Sequence, residues 1–351
     1  MSSKRVGNSS HYYGGQAVIE GVMMRGARTW AVAVRRPSGE IYLERHPVSD
    51  FPQRHPLFRR PMFRGMFALV DAMSIGTRAL AISANQSVEE EEQLSGGAMG
   101  GSLVLALLLF IGVFIVLPNA GLAFLADRLG GGDGLVYHLV EGVVRIGIFL
   151  AYLAGISLFA DIRRVFQYHG AEHKTIAAWE QHQVLEPVAV QPHSTLHVRC
   201  GTNFLLMVML IAIITYSIAG AIIPSPRVGV LPVATYHILL RILLLPVVAG
   251  LAYEGLRLGA GRDNVLVRGL MRPGLWLQMI TTKPPTDDQV EVAIRAFEAV
   301  VPTADLHGRT HTELPSDIAW GPDEATELVG LADVTGAPVP TDGESEAPSR
   351  G

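Results

Sequence analysis

Four long apolar runs constrain the fold of this chain more than any other feature of its sequence. They cover Met99 to Ala126, Leu135 to Ala160, Phe204 to Pro226 and Val228 to Tyr253. A run of about 20 apolar residues is long enough to cross the hydrocarbon core of a bilayer as a helix. Of the 351 residues, 49% are hydrophobic and only 17% are charged, which disfavours soluble domains alone. The runs therefore predict a mainly α membrane protein with four transmembrane helices.

Basic residues flank one side of all four predicted spans. The two short loops on the other side hold only Arg128 and Arg227. Because Lys and Arg concentrate in cytoplasmic loops, the basic side is predicted to be cytoplasmic, with both termini inside. No apolar segment precedes residue 99, so a cleaved secretory signal is not expected. The basic residues counted are Arg59, Arg60, Arg64, Arg78, Arg163, Arg164, Lys174, Arg199, Arg257, Arg262, Arg268, Arg272 and Lys283.

The segments outside the spans predict a cytoplasmic α+β domain that includes a short β-hairpin. Trp30 to Arg36 and Glu40 to Arg45 are strand-like and enclose a Pro-Ser-Gly turn. Residues 61–86 have helical periodicity, which fits either a helix in the membrane interface or one packed on the domain. Asp287 to Val300 predict a short amphipathic helix. The predicted segments are 1–58 (β-rich), 59–98 (amphipathic helix and acidic linker), 99–160 (first two spans), 161–203 (His-rich loop), 204–254 (last two spans), 255–304 (cytoplasmic) and 305–351 (disordered tail).

The strongest chemical pattern is His169-Gly170-Ala171-Glu172-His173. On a helix, two histidines four residues apart share one face and can hold one metal ion. Glu172, beside them, could deprotonate a water molecule on that metal. This H-x-x-E-H order is the one found in inverted zinc peptidases. The pattern predicts a divalent metal site, with zinc as the first candidate.

A catalytic zinc usually has three protein ligands, so a further ligand is needed. Within the same loop, His197 and Cys200 have H-x-x-C spacing, and His193 is a third candidate. Glu254 is a more distant one. Five of the twelve histidines of the chain fall between Asp161 and Thr202. Two alternatives stay open, because loop histidines often make only hydrogen bonds and a purely structural metal site would use the same ligands.

Two further groups of charged residues need an explanation. Glu20 and Arg25 lie in a glycine-rich segment, Gly14 to Gly26, and are candidates to contact a substrate, as is Arg199. The alternative for Glu20 and Arg25, which the absence of phosphate-loop spacing slightly favours, is a structural ion pair with each other or with the end of a span. Within the spans, Glu141 and Arg145 are four residues apart, and Glu141 is also a candidate partner for Arg241. Packing specificity is the preferred role for these three intramembrane charges, because they are too few for a transport path.

Five ordered motifs resemble the YqhQ-like family of bacterial membrane proteins, which is described as one of predicted metal-dependent enzymes. The motifs are GGQAVIEGVMMRG, FQYHGAEHKTIAAWE, RCGTNF, LLLPVVAGLAYEGLR and PGLWLQMITTKPPTDDQVEVAI. The resemblance runs from about Gly14 to Val300. It implies bacterial origin, four spans, and a metal site at His169, Glu172 and His173 with Cys200. This chain has Val198 where the family usually has proline.

The sequence thus leads to a functional hypothesis with one main alternative. The hypothesis is a metal-dependent enzyme, most simply a hydrolase, at the cytoplasmic face of the bacterial plasma membrane. Here Glu172 is the general base, His169, His173, Cys200 and His197 are the candidate ligands, and zinc is the expected cofactor. The alternative is a non-enzymatic scaffold or assembly factor with a structural metal site. The expected partners are the lipid bilayer and an unidentified substrate or protein; nucleic acid is not expected, and a homo-oligomer is left open.

Overall fold

In a computed structural model of the chain, the described residues are 13–89, 96–118, 135–197, 200–223, 233–260, 265–306, 308–310 and 319–320. They are mainly helical and include one five-stranded sheet with the strand order β1-β2-β3-β4-β5. The first four strands are antiparallel neighbours, and β5 pairs in parallel with β4. The predicted hairpin is therefore confirmed as β3–β4. The strands are β1 (Gly14–Val18), β2 (Gly21–Arg25), β3 (Thr29–Arg35), β4 (Ile41–Pro47) and β5 (Ala319–Trp320).

Eleven α-helices lie in the described part of the chain, with a 3-10 turn at Pro56–Arg59 and a π-helical turn at Gly112–Val116. The helices are α1 (Phe51–Arg54), α2 (Phe63–Gln86), α3 (Gly96–Ile111), α4 (Leu135–Ile156), α5 (Ala160–Glu180), α6 (Pro187–Val190), α7 (Gly201–Ile222), α8 (Val233–Ala260), α9 (Val265–Thr281), α10 (Asp287–Glu298) and α11 (Thr303–Leu306).

The sheet forms the middle layer of a three-layer domain. Side chains alternate between the two faces of a strand, so β2 sends Val22 and Met24 to one face and Met23 to the other. The first face packs on α5 and α10, where Tyr168 and Phe297 are fully buried. The domain thus combines three separate parts of the sequence: the N-terminal strands, the segment between α4 and α7, and the segment after α8.

Helix α2 covers the second face of the sheet. Its Ile75 and Ala79 are buried in a cluster with Met23 and Trp30. Its other end packs on α8, because a Cβ atom added at Gly65 would lie 2.7 Å from the Cβ atom of Tyr253. The sequence leaves two placements open for this helix, and the structure shows it packed on the domain.

Three helices in the described part of the chain are long and apolar enough to cross a membrane, judged by length and composition: Phe63–Gln86, Leu139–Ile156 and Gly201–Ala219. The last two lie in the second and third predicted spans. In the first predicted span, the apolar helix Gly100–Phe114 is shorter. The fourth predicted span falls in α8, which has 28 residues and contains Pro246. The apolar helices support a membrane protein, while the count of four spans remains a prediction.

The charges predicted to lie within the spans form one cluster that joins two helices. A carboxylate oxygen of Glu141 accepts a hydrogen bond from Arg145 at 2.6 Å, one turn along α4. The same carboxylate accepts hydrogen bonds from Arg241 of α8 at 2.7 and 3.0 Å. Glu141 is only 4% exposed. The observed contacts agree with a packing role, since one acidic group holds α4 and α8 together through charge-assisted hydrogen bonds.

The C-terminal segments add to the domain. Helix α10 begins with a capping box formed by Thr286 and Gln289, as expected for the predicted amphipathic helix. The predicted disordered tail starts at residue 305, yet Leu306 is buried and the guanidinium of Arg309 lies 3.5 Å from the ring centre of Trp179. Strand β5 belongs to the same tail. These described pieces therefore pack on the domain, and residues 311–318 and 321–351 lie outside the described part.

Candidate functional site

Helix α5 presents His169 and His173 to each other on one face, with their ring centres 4.4 Å apart. The Nδ1 atom of His169 donates to the carbonyl oxygen of Thr281 at 2.8 Å, and the Nδ1 atom of His173 donates to that of Thr195 at 2.5 Å. Because a carbonyl only accepts, each Nδ1 carries the proton and each Nε2 keeps its lone pair. This orientation by a backbone carbonyl is the usual way in which metal-binding histidines are held.

Cys200 brings a third ligand atom to the two histidines. Its Sγ atom lies 3.1 Å from the Nε2 atom of His169. Ligand atoms of His169, His173 and Cys200 all lie within 4.8 Å of one another. Cys200 is also the N-cap of α7, where its sulfur accepts a hydrogen bond from the backbone amide of Thr202. The hydrogen bonds at this helix N-terminus favour negative charge on the sulfur and partly offset the burial that raises the pKa of the Cys200 thiol.

Glu172 is buried beside this cluster and faces β1. A Cβ atom added at Gly15 would lie 3.0 Å from the Cδ atom of Glu172, so the glycine allows the strand backbone to approach the carboxyl. One oxygen of Glu172, Oε2, and the Nε2 atom of His173 are buried without a hydrogen-bond partner among the described residues. Buried polar atoms nearly always have a partner. Such atoms also occur elsewhere among the described residues, but these two belong to residues that line the same cavity as Cys200, so a ligand is expected here.

Burial keeps the groups of the cluster neutral. It raises the pKa of Glu172 to about 8 and that of the Cys200 thiol to about 12. It also lowers the pKa of His169, and it lowers the pKa of His173 to about 3. In each case desolvation is the largest cause, because burial disfavours the charged form. Neutral imidazoles are the form that coordinates a metal.

His197 lies near the cluster but points elsewhere. Its ring centre is 5.8 Å from that of His173, and its Nε2 atom contacts Glu180 at 3.3 Å. The backbone N–H of His197 donates to the side chain of Gln278 at 2.8 Å, and its carbonyl oxygen accepts from Gln278 at 2.9 Å. Of the four predicted candidates for a further ligand, the structure thus places Cys200, and not His197, with the two histidines.

The remaining predicted site residues have separate positions. Glu20 pairs with Arg164, with one contact at 2.6 Å, and Tyr168 donates to it at 3.3 Å. Arg25 pairs with Asp71 of α2 at 2.5 Å. Both ion pairs agree with the structural alternative, although Arg25 also lines the cavity beside the cluster. Glu254 pairs with Arg64 and His193 lies outside the three-residue cluster, while Arg199 is not among the described residues.

The groups that orient the cluster are not among the residues predicted from the sequence. Thr195 and Thr281 act through backbone carbonyls, which any residue type provides, so no sequence signal marks them. Gln278 has such a signal, because it is a fully buried amide within the apolar run Trp276 to Ile280. A buried amide in such a run needs hydrogen-bond partners.

Comparison with known proteins agrees with the resemblance seen in the motifs. Residues 60–303 match the family described as "Protein of unknown function (DUF1385)". The chain is also 35% identical over 306 residues to the "Uncharacterized protein YqhQ" of Bacillus subtilis (strain 168), which covers 82% of this chain and 92% of that protein. No solved structure matches the chain.

Fold and sequence together define a mainly helical protein with apolar helices of membrane-crossing length and a three-layer domain that carries a His-His-Cys cluster. The chain belongs to the DUF1385 family, and it is similar to the YqhQ protein of Bacillus subtilis.

Proposed function

We propose that this protein is a metal-dependent hydrolase at the cytoplasmic face of the bacterial plasma membrane. The observation that carries the proposal is the pair of buried polar atoms without a partner, Glu172 Oε2 and His173 Nε2, beside the Cys200 thiol. A buried polar atom left without a partner costs about 1–3 kcal/mol. The arrangement is explained if these atoms face a bound cation and a water molecule.

The three ligand side chains suit zinc or a similar divalent cation. Imidazole nitrogen and thiolate sulfur are both common zinc ligands, and three protein ligands are typical of catalytic sites. The Nε2 lone pairs of both histidines are available because their Nδ1 atoms are engaged by Thr281 and Thr195. A divalent cation held there would supply a Lewis acid that polarises a carbonyl or phosphoryl oxygen.

Glu172 would serve as the general base and acid. Burial raises the pKa of its carboxyl to about 8 in the metal-free site, and a divalent cation bound beside it would lower this pKa and favour the carboxylate that acts as a base. In a hydrolysis, Oε2 would take a proton from the attacking water and return it to the leaving group. Gly15 allows β1 to lie against this carboxyl and shield it from bulk solvent.

The packing of the domain supports the proposed topology. The β1–β4 strands precede α3 and α4, α5 follows them, and α10 follows α7 and α8, yet all three segments share one core. Segments on one side of a membrane must be separated by an even number of crossings. Two pairs of spans, α3–α4 and α7–α8, meet this condition, provided that α2 stays with the domain. Four spans with cytoplasmic termini are therefore part of the proposal, and the basic residues near the domain favour the cytoplasmic side.

A reporter fusion tests this location directly. A reporter placed after Glu180 or Val290 should be active in the cytoplasm, and one placed after Gly131 or Arg227 should be active outside it, because the spans come in pairs. The fusions after Gly131 and Arg227 are the internal controls. An external signal after Glu180 would contradict the proposal, since it would place the His-His-Cys cluster outside the cell.

The main alternative is a membrane scaffold in which the same cluster holds a structural metal. The contact between the Nε2 atom of His169 and the Sγ atom of Cys200 at 3.1 Å is compatible with this second candidate, because a structural zinc site uses the same types of ligand. The two functions differ in what they require of Glu172, which is a base in the enzyme and dispensable in the scaffold. The deciding experiment measures bound metal and cellular function on the single variant Glu172→Gln.

A further inference from the structure

A cavity of about 830 Å³ opens beside the cluster, between the domain and the apolar helices. One part of its lining consists of the side chains that carry the proposed chemistry, His169, Glu172, His173 and Cys200. Binding sites for small molecules commonly have volumes of roughly 300–1,000 Å³ and combine apolar walls with a few placed polar groups. The cavity is therefore of the size and kind that takes a ligand, and its apolar part has no role in the proposed chemistry itself.

The apolar part of the cavity is lined by helices whose length and composition suit a membrane span. Phe149 and Leu153 of α4 line it, and so does Leu205 of α7. Phe149 is seven residues from the end of α4 at Ile156, which corresponds to roughly 10 Å along the helix axis. Both helices contain segments of membrane-crossing composition. One end of a molecule in the cavity can thus contact the cluster. Its other end can lie among the apolar side chains of the predicted membrane-spanning helices.

The charges of the wall argue against a water-soluble anionic ligand. Arg25 is the one lysine or arginine among the described residues that line the cavity, and it already pairs with Asp71. Sites for phosphates and carboxylates usually provide several cationic groups or backbone amides. By contrast, Leu69, Ala72 and Met73 of α2 extend the apolar surface toward the opening.

We propose that the substrate is a membrane lipid whose hydrocarbon chain occupies this cavity while its polar part reaches the His169–His173–Cys200 cluster. The proposal rests on the hydrolase function and adds its substrate class. The hydrocarbon chain of the lipid lies against α2 and α4, which both line the cavity. Its fit depends on apolar burial, which tightens binding by about fourfold for each methylene group.

Photolabelling of the full chain in vesicles tests this assignment. The probe is a fatty acid with a mid-chain diazirine in vesicles of phosphatidylethanolamine and phosphatidylglycerol, and labelled residues are mapped by mass spectrometry. Met23 and Ile75 line the cavity and are each only 6% exposed, so surrounding bilayer lipid does not reach them. We expect labels on both. Val143 is 69% exposed on α4 and serves as the reference for ordinary lipid contact.

Two variants on α2 make the test specific. Ala72→Trp places a large ring in the cavity and should reduce the labelling of Met23 and Ile75 by about tenfold, which corresponds to roughly two excluded methylene groups. Val70→Trp adds the same ring at a residue that is 66% exposed and does not line the cavity, so it should leave labelling unchanged. The labelling of Val143 should be the same in all three proteins.

Metal content measured on the same samples separates the two proposals. Labels on Met23 and Ile75 in zinc-bound protein, lost in Ala72→Trp, support a lipid substrate. If the protein binds zinc but these labels are missing, the lipid assignment is overturned and the hydrolase proposal stands. The cavity would then be covered by the protein's own residues or occupied by a soluble ligand. If the labels appear but the protein binds no zinc, the hydrolase proposal is overturned. The lipid can then no longer be assigned as a substrate.

Discussion

Replacing Glu172 with glutamine should abolish the cellular function of the protein while leaving its zinc and its fold in place. Glutamine has nearly the same shape as glutamate and fits the same buried position against Gly15. It lacks the basic carboxylate, and loss of a general base typically lowers a rate by about 100-fold or more. The measurement is rescue of a strain that lacks the gene, together with zinc per chain in the purified variant.

The matched control is Glu291→Gln. This residue makes an ion pair with Arg35 at 2.8 Å, and its side chain is 47% exposed. Exposed ion pairs contribute only about 0–1 kcal/mol, so this variant should rescue the strain fully. If Glu172→Gln rescued as well as the wild type while keeping its zinc, the general-base role would be refuted and the scaffold alternative would be favoured.

Replacing His173 with alanine should release the metal. His173 is 1% exposed and its Nε2 atom has no partner among the described residues, so it is positioned to bind directly. Mutation of a residue that only hydrogen-bonds to a metal ligand already lowers metal affinity by about 10–100-fold. Loss of the ligand itself should lower the affinity further. Zinc per chain after dialysis against a weak chelator is the measurement, with gel filtration to verify folding.

The control for this variant comes from the same region. His182 follows α5 directly and is exposed, so His182→Ala should keep the full zinc content. His169→Ala should behave like His173→Ala, because both offer Nε2 lone pairs to the same cluster. Equal zinc content in His173→Ala and His182→Ala would show that the metal, if any, is bound elsewhere.

Patterns with a fixed period were the reliable part of the sequence analysis. The alternation in β3 and β4, the amphipathic α10 and the spacing of His169 and His173 all follow from the geometry of one strand or one helix. The placement of residues 61–86 could not be decided in this way, because an amphipathic helix has the same pattern on a membrane surface and on a sheet.

Features that depend on tertiary contacts could not be read from the sequence. The H-x-x-C spacing made His197 and Cys200 equal candidates, and only the packing shows that His197 contacts Glu180 instead. The carbonyl oxygens of Thr195 and Thr281 have no sequence signal. The cavity could not be predicted from the sequence either, because its walls come from the sheet and from several helices that are far apart in the chain.

X-ray absorption at the zinc edge of the purified, full-length protein tests the central claim most directly. This measurement reports the ligand atoms of the metal without requiring a known substrate. We expect bound zinc with one sulfur ligand, from Cys200, and at least two imidazole nitrogen ligands, from His169 and His173. Protein that is free of metal, or zinc surrounded only by nitrogen and oxygen, would contradict the proposed metal centre.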